Sequence, residues 1–239
     1  MTMNYDDKTS IAVEDLGKSF TLHMQGATHI PVLSDVSFTV EAGDCVVLDG
    51  PSGAGKSSLM RCLYANYLPQ QGQVLIRHDG ELVDITHAAP RTVLDIRRRS
   101  LGYVSQFLRV IPRVPTVELV MEPLLALGIA EETARERAGT ILARLRIPER
   151  MWHLPPGTFS GGEQQRVNIA RVMVVDYPAL LLDEPTASLD ADNRQTVVEL
   201  VTEACARGAA IVGIFHDAAV REALATRTMT ITPSDKVAA

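Results

Sequence analysis

The sequence predicts an α/β protein with a doubly wound core. Apolar strands alternate with amphipathic helices across short connections, and one strand, Ala179-Leu180-Leu181-Leu182, is apolar on both faces. Another, Cys45-Val46-Val47-Leu48, runs directly into a glycine-rich turn. A strand with two apolar faces belongs inside a parallel sheet covered on both sides. Alternating strands and helices build such a sheet, and ligands sit beyond the carboxyl ends of its strands. With 239 residues, 46% of them hydrophobic, the chain can bury the core of one large domain, taken here as residues 1–239.

Taken in order, Ile11 to Val13 and Val36 to Val40 read as strands of an antiparallel entry sheet, with Thr21 to Pro31 as a hairpin loop between them. The apolar strand from Cys45 is followed by the glycine-rich turn and a helix from Lys56 to Tyr67, stopped before Pro69. Gln73 to Ile76 and Leu82 to Ile85 bracket the turn His78-Asp79-Gly80. Arg97-Arg98-Arg99 reads as a solvated face, and Leu101 to Val104 as another strand. From about residue 107 to 175 the character becomes helical, suggesting an inserted lobe. Its helices are Thr116 to Leu127, Glu131 to Arg146 with Ala134, Ala138, Ile141, Leu142 and Leu145 on one face, and Ser160 to Val175. Trp152-His153 is expected to pack this lobe against the core. Asp192 to Ala206 is a further helix, leading through Gly208 to the strand Ile211 to Phe215; the tail from Pro233 reads as loose.

Gly50-Pro51-Ser52-Gly53-Ala54-Gly55-Lys56-Ser57 fits the phosphate-loop pattern without a mismatch, and Ser58 continues it into the helix. Its glycines let successive NH groups point into one concavity that surrounds phosphate oxygens. Lys56 adds positive charge, Ser57 offers a hydroxyl to Mg2+, and the helix end directs its dipole at the same anions. Asp183 and Glu184 end the apolar strand, so the first carboxylate can reach the metal while the second faces the terminal phosphate, as a base for the attacking water. Gln106 and His216 also end strands at this edge, within reach of the metal, the water or the phosphate. Taken alone, such a glutamine is more often a surface amide and such a histidine more often structural.

The charge and cysteines narrow the class. A net charge of -6 provides no footprint for nucleic acid or anionic lipid. The polar start Met1-Thr2-Met3-Asn4-Tyr5-Asp6-Asp7 lacks the basic and apolar blocks of a signal peptide, and no run approaches a membrane span. A cytoplasmic protein without membrane insertion is expected. Cys45, Cys62 and Cys205 show no metal-ligand spacing and suit a reducing compartment.

A second anion-binding helix start lies at Ser160-Gly161-Gly162-Glu163, with Ser160 as N-cap. Together the phosphate loop, Gln106, Phe159-Ser160-Gly161-Gly162-Glu163, Asp183-Glu184, Ser188-Leu189-Asp190 and His216 resemble, in that order, a nucleotide-binding domain of the ATP-binding-cassette (ABC) superfamily. The resemblance implies an ABC-type P-loop fold with a mixed central sheet, an antiparallel β subdomain and the helical lobe. It also implies a head-to-tail dimer, with itself or another ABC subunit, in which ATP and Mg2+ on one phosphate loop are capped by the other subunit's Ser160, Gly161, Gly162 and Glu163. On the same basis Asp190 communicates across the dimer, Gln106 couples the site to a partner, and Phe20 stacks on adenine. Phe159, Glu163 and Phe20 stand where the family more often has Leu, Gln and Tyr.

At finer grain, the stretches 63–69, 105–113, Trp152-His153-Leu154 and 213–217 resemble the PhnL family of bacterial carbon–phosphorus lyase systems. That resemblance implies an ATPase acting with soluble phosphonate-processing subunits that form ribose 1-phosphonate 5-triphosphate from ATP and a phosphonate. The alternative is the ATPase motor of a membrane ABC transporter. Both share every residue above, and the segment from Phe107 to Pro123 is where their partners would differ.

Overall fold

The structure is a computed structural model that describes residues 5–22, 28–106 and 112–233. Its layering follows from three strands whose alternate residues enter different cores. In β3 (Cys45–Asp49), Cys45 and Val47 face one core while Val46 and Leu48 face the other. In β7 (Ala179–Asp183), Leu180 and Leu182 oppose Ala179 and Leu181. In β8 (Ala210–Ile214), Ile211 opposes Ala210 and Val212. Each such strand needs a cover on both sides. One cover is helical, made by α3 (Thr116–Ala126), α4 (Glu131–Arg144), α5 (Gly161–Met173) and α6 (Ala191–Ala206), with Val120, Leu142, Val167 and Val201 buried in it. The other combines α1 (Lys56–Leu63), which buries Leu59, Met60 and Leu63, with an antiparallel sheet that contributes Ile11, Leu16 and Ile76.

With β6 (Leu101–Val104) and β9 (Arg227–Thr230), the central sheet has the order β6-β7-β8-β3-β9. All its pairings are parallel, which corrects the expectation of a mixed sheet. Crossovers through helices return the chain in the same direction, as between β6 and β7, β7 and β8, and β8 and β9. The second sheet has the order β2-β1-β4-β5, antiparallel throughout, from β1 (Thr9–Leu22), β2 (Thr28–Glu41), β4 (Gln71–His78) and β5 (Glu81–Asp84).

Several expectations need correction. Most of the expected loop from Thr21 to Pro31 is strand, with residues 23–27 outside the described set. Pro31 is tolerated because β2 is an edge strand, and it pairs with Ser19 where the register shifts. Helix α1 ends at Leu63 rather than Tyr67: Ala65 adopts φ 54, and its NH bonds the Cys62 carbonyl to close the last turn. Two helices and a strand escaped the sequence reading: α2 (Pro90–Arg99), α7 (Ala218–Leu224) and β9.

The arginine triplet is not a uniform solvated face. Arg97 Nε and Nη2 donate to the Tyr64 carbonyl at 3.0 and 2.6 Å, and Arg99 bridges Asp79 and Asp95. Trp152 packs on the helical core, its Nε1 donating to the Ile147 carbonyl at 2.9 Å, whereas His153 is exposed. Residues 107–111 of the expected lobe, and the tail from Ser234, lie outside the described residues.

Candidate functional site

The turn after β3 is held by close backbone approach. A Cβ on Gly50, at φ +141, would lie 2.4 Å from the Ile231 carbonyl oxygen. One on Gly55, at φ +96, would lie 2.8 Å from that of Val32. Only glycine fits both positions without moving the chain. Gly55 is the residue before α1, which starts at Lys56, so the free NH groups of the first turn open into the loop. Lys56 Nζ donates to the carbonyls of Gly50 and Pro51 at 2.6 and 3.0 Å, holding the ammonium against the start of the loop.

β7 delivers Asp183 beneath this helix end. Ser57 Oγ donates to its Oδ1 at 3.2 Å, and the Tyr103 hydroxyl donates to Oδ2 at 3.0 Å. Asp183 is only 4% exposed. Burial pushes its carboxyl above the usual range, and the bonds from Tyr103 and Ser57 oppose that shift. A hydroxyl and a carboxylate oxygen so close together at a helix N-terminus form a hard oxygen set, which fits Mg2+.

Glu184 has φ 53, a conformation that L residues seldom adopt and that costs about 1–3 kcal/mol. Its surroundings hold it there. Its NH bonds the Ile214 carbonyl at 3.1 Å. Gln106 Nε2 donates to Oε2 at 3.0 Å, and His216 Nε2 lies 2.6 Å from Oε1. Three residues read as strand-end candidates therefore meet around one carboxylate. A cleft of about 120 Å³, lined by Glu184, Thr186, Ala187, Arg194, His216 and Asp217, opens beside them. Its wall carries an ion pair the sequence reading did not find, Arg194 to Asp217 at 2.6 Å.

At the start of α5, where the sequence suggested a second anion-binding end, Ser160 caps the helix in a reciprocal box. Its NH and hydroxyl donate to Glu163 Oε2 at 2.8 and 2.7 Å, and the Glu163 NH donates to Ser160 Oγ at 3.4 Å. These bonds hold the Glu163 carboxyl below the usual range. Gly161 faces open space, while a Cβ on Gly162 would lie 2.9 Å from the Ser188 carbonyl oxygen. That contact sets this loop against the segment leading to Asp190. Asp190 caps α6: the NH and Nδ2 of Asn193 donate to Oδ1 and Oδ2 at 2.8 and 2.9 Å. The D-x-x-N spacing carried this signal. Asp190→Ala is expected to lower stability through loss of the cap, a fall in Tm of roughly 2–4 °C by thermal melting.

Phe20 lies on β1 opposite Ile30, close along the strand to the Val32 that touches the phosphate loop. Its ring meets Tyr67 edge-on at 5.3 Å, and Lys18 Nζ sits 5.0 Å from the ring centre. A further acidic cluster, His78, Asp79 and Asp95, has a metal-like spacing. The Arg99 guanidinium already fills it, with Nη2 at 2.6 Å from each carboxylate and 3.1 Å from His78 Nε2.

A family profile described as ABC transporter matches residues 33–187. The chain belongs to this ABC transporter family. Among curated relatives, an uncharacterised ABC transporter ATP-binding protein of Mycobacterium tuberculosis is 36% identical over 88% of this chain and 62% of its own length. The lipoprotein-releasing system ATP-binding protein LolD of Maricaulis maris is 39% identical over 80% of this chain and 82% of its own. Among solved structures, a dimeric post-hydrolysis state of the ATP-binding cassette MJ0796, bound to ADP and Pi, matches with a TM-score of 0.83 at 27% identity. That match covers 93% of this chain and 94% of the other. The chain spans less than two thirds of the length of the first curated relatives it matches. Among the described residues of this ABC protein, no helix is long and apolar enough to cross a membrane.

Proposed function

We propose that this chain is an ATP-hydrolysing cassette, a single ATP-binding domain with a helical lobe at about 107–175, that works as a head-to-tail dimer on a partner subunit. The observation that carries the reading is the Glu184 carboxylate, held between Gln106 and His216 at 3.0 and 2.6 Å beside the Ser57–Asp183 pair. Backbone NH groups of the loop from Gly50 to Ser58, Pro51 excepted, and the Lys56 ammonium would bind the phosphates, and Phe20 would support the adenine. Ser57 and Asp183 would hold Mg2+, with Gln106 at its edge. When bound, Mg2+ neutralises phosphate oxygens. Glu184 would take the proton of the attacking water, while His216 faces the terminal phosphate. Ser160, Gly161, Gly162 and Glu163 of the second subunit would close the site, with Asp190 beside them.

The relatives weigh for a transporter motor. LolD is the ATP-binding protein of a lipoprotein-releasing system, and the matched family is named for transporters. A second reading rests on the PhnL-like stretches at 63–69, 105–113, 152–154 and 213–217. It makes the chain an ATPase of the carbon–phosphorus lyase pathway, possessing soluble partners that form ribose 1-methylphosphonate 5-triphosphate. One experiment separates the two. The chromosomal protein is tagged, cells are starved of phosphate with methylphosphonate as sole phosphorus source, and both soluble and membrane fractions are purified. Recovery with integral permease subunits and normal phosphonate growth after deletion supports the motor. Recovery with soluble phosphonate-processing proteins, with growth lost on deletion, supports the second reading and overturns the first.

A further inference from the structure

We propose that Tyr103 is a positioning residue for the divalent cation: its hydroxyl holds Oδ2 of Asp183 so that Oδ1 stays turned toward Ser57. The inference rests on the Mg2+ reading of Ser57 and Asp183 and adds a residue outside the phosphate loop. A carboxylate turns about a broad, two-fold torsion, so one bond does not fix its plane. Asp183 has a donor on each oxygen, Ser57 at 3.2 Å on one and Tyr103 at 3.0 Å on the other. Cation binding would turn the Ser57 oxygen lone pair toward the ion and remove its donor from Oδ1. The Tyr103 bond would then be the one that keeps the plane set.

Tyr103 is suited to this because its ring is itself held. It sits on β6, and its ring centre lies 4.9 Å from that of Tyr64, tilted by 44°. Tyr64 follows the last residue of α1 and is fixed in turn by Arg97, whose guanidinium lies 4.4 Å over the ring while bonding the Tyr64 carbonyl. The phenol therefore reaches Asp183 from a packed support made by two helices and a strand. Groups that orient metal ligands commonly contribute 10- to 100-fold in metal affinity.

The test is Tyr103→Phe, which keeps the ring and deletes the hydroxyl. Mn2+ is titrated into the full chain with a non-hydrolysable ATP analogue, with bound ion followed by electron paramagnetic resonance. Analogue affinity is measured separately in EDTA. Mn2+ affinity is expected to fall about tenfold in Tyr103→Phe, with the EDTA affinity unchanged. Mn2+ affinity within twofold of the parent would overturn the proposal. So would equal losses in both measurements, which would make Tyr103 a packing residue. Asp183→Asn is the control: if it left Mn2+ affinity unchanged, the metal site itself would be wrong, and this proposal with it.

Discussion

Glu184→Gln is expected to lower ATP turnover by about 10²- to 10⁴-fold while leaving nucleotide bound, since loss of a general base has that cost. The substitution keeps the shape of the side chain. It removes the charge that faces Gln106 and His216 at 3.0 and 2.6 Å, and with it the site for a proton from water. The left-handed backbone at Glu184 is held by the Ile214 carbonyl and remains in place, so the change should report on chemistry more than on folding. Nucleotide that is bound but not hydrolysed should accumulate the closed dimer. The measurements are steady-state phosphate release and size-exclusion chromatography with ATP. Turnover at the parental rate would remove Glu184 from its proposed role.

Lys56→Ala carries the second large effect. In the structure the ammonium lies against the Gly50 and Pro51 carbonyls, so a phosphate entering the loop would find it already positioned. Deleting one side of a charge-assisted contact of this kind costs about 2–5 kcal/mol, so ATP affinity should fall by roughly 30-fold to several thousand-fold. Equilibrium dialysis with labelled ATP measures this directly. The variant also tests the two-subunit site. Mixed with a Ser160→Arg protein, whose phosphate loop is intact, it should restore one composite site and part of the activity. If both variants fold and associate but no activity returns, the two ends do not act across a dimer.

How much of this was legible in the sequence differs from element to element. The glycine-rich turn before α1 was readable because its geometry is local: Gly50, Gly55 and the helix start at Lys56 lie within a few residues of one another. The capping box of α5 was partly readable for the same reason, since Ser160 and Glu163 are one turn apart. The antiparallel sheet was readable in kind but not in extent, because long-range pairing with β1 carries β2 through Pro31.

What the sequence determined by itself was therefore the glycine-rich turn that opens α1, the apolar β7 strand ending in Asp183 just before Glu184, and the order of motifs that places the chain among ABC proteins. Tertiary structure alone decided which of these side chains meet. The parallel register of β6, β7 and β8 brings Gln106 to Glu184, 78 residues apart, and His216 to the same carboxylate, 32 residues apart. It also brings the Tyr103 hydroxyl to Asp183, 80 residues on, and packing of α2 turns Arg97 inward onto Tyr64. The physical reason is that local propensity is set within a turn or two of chain. Contacts across a sheet depend on which strands become neighbours, and burial of both faces of β3, β7 and β8 settles that.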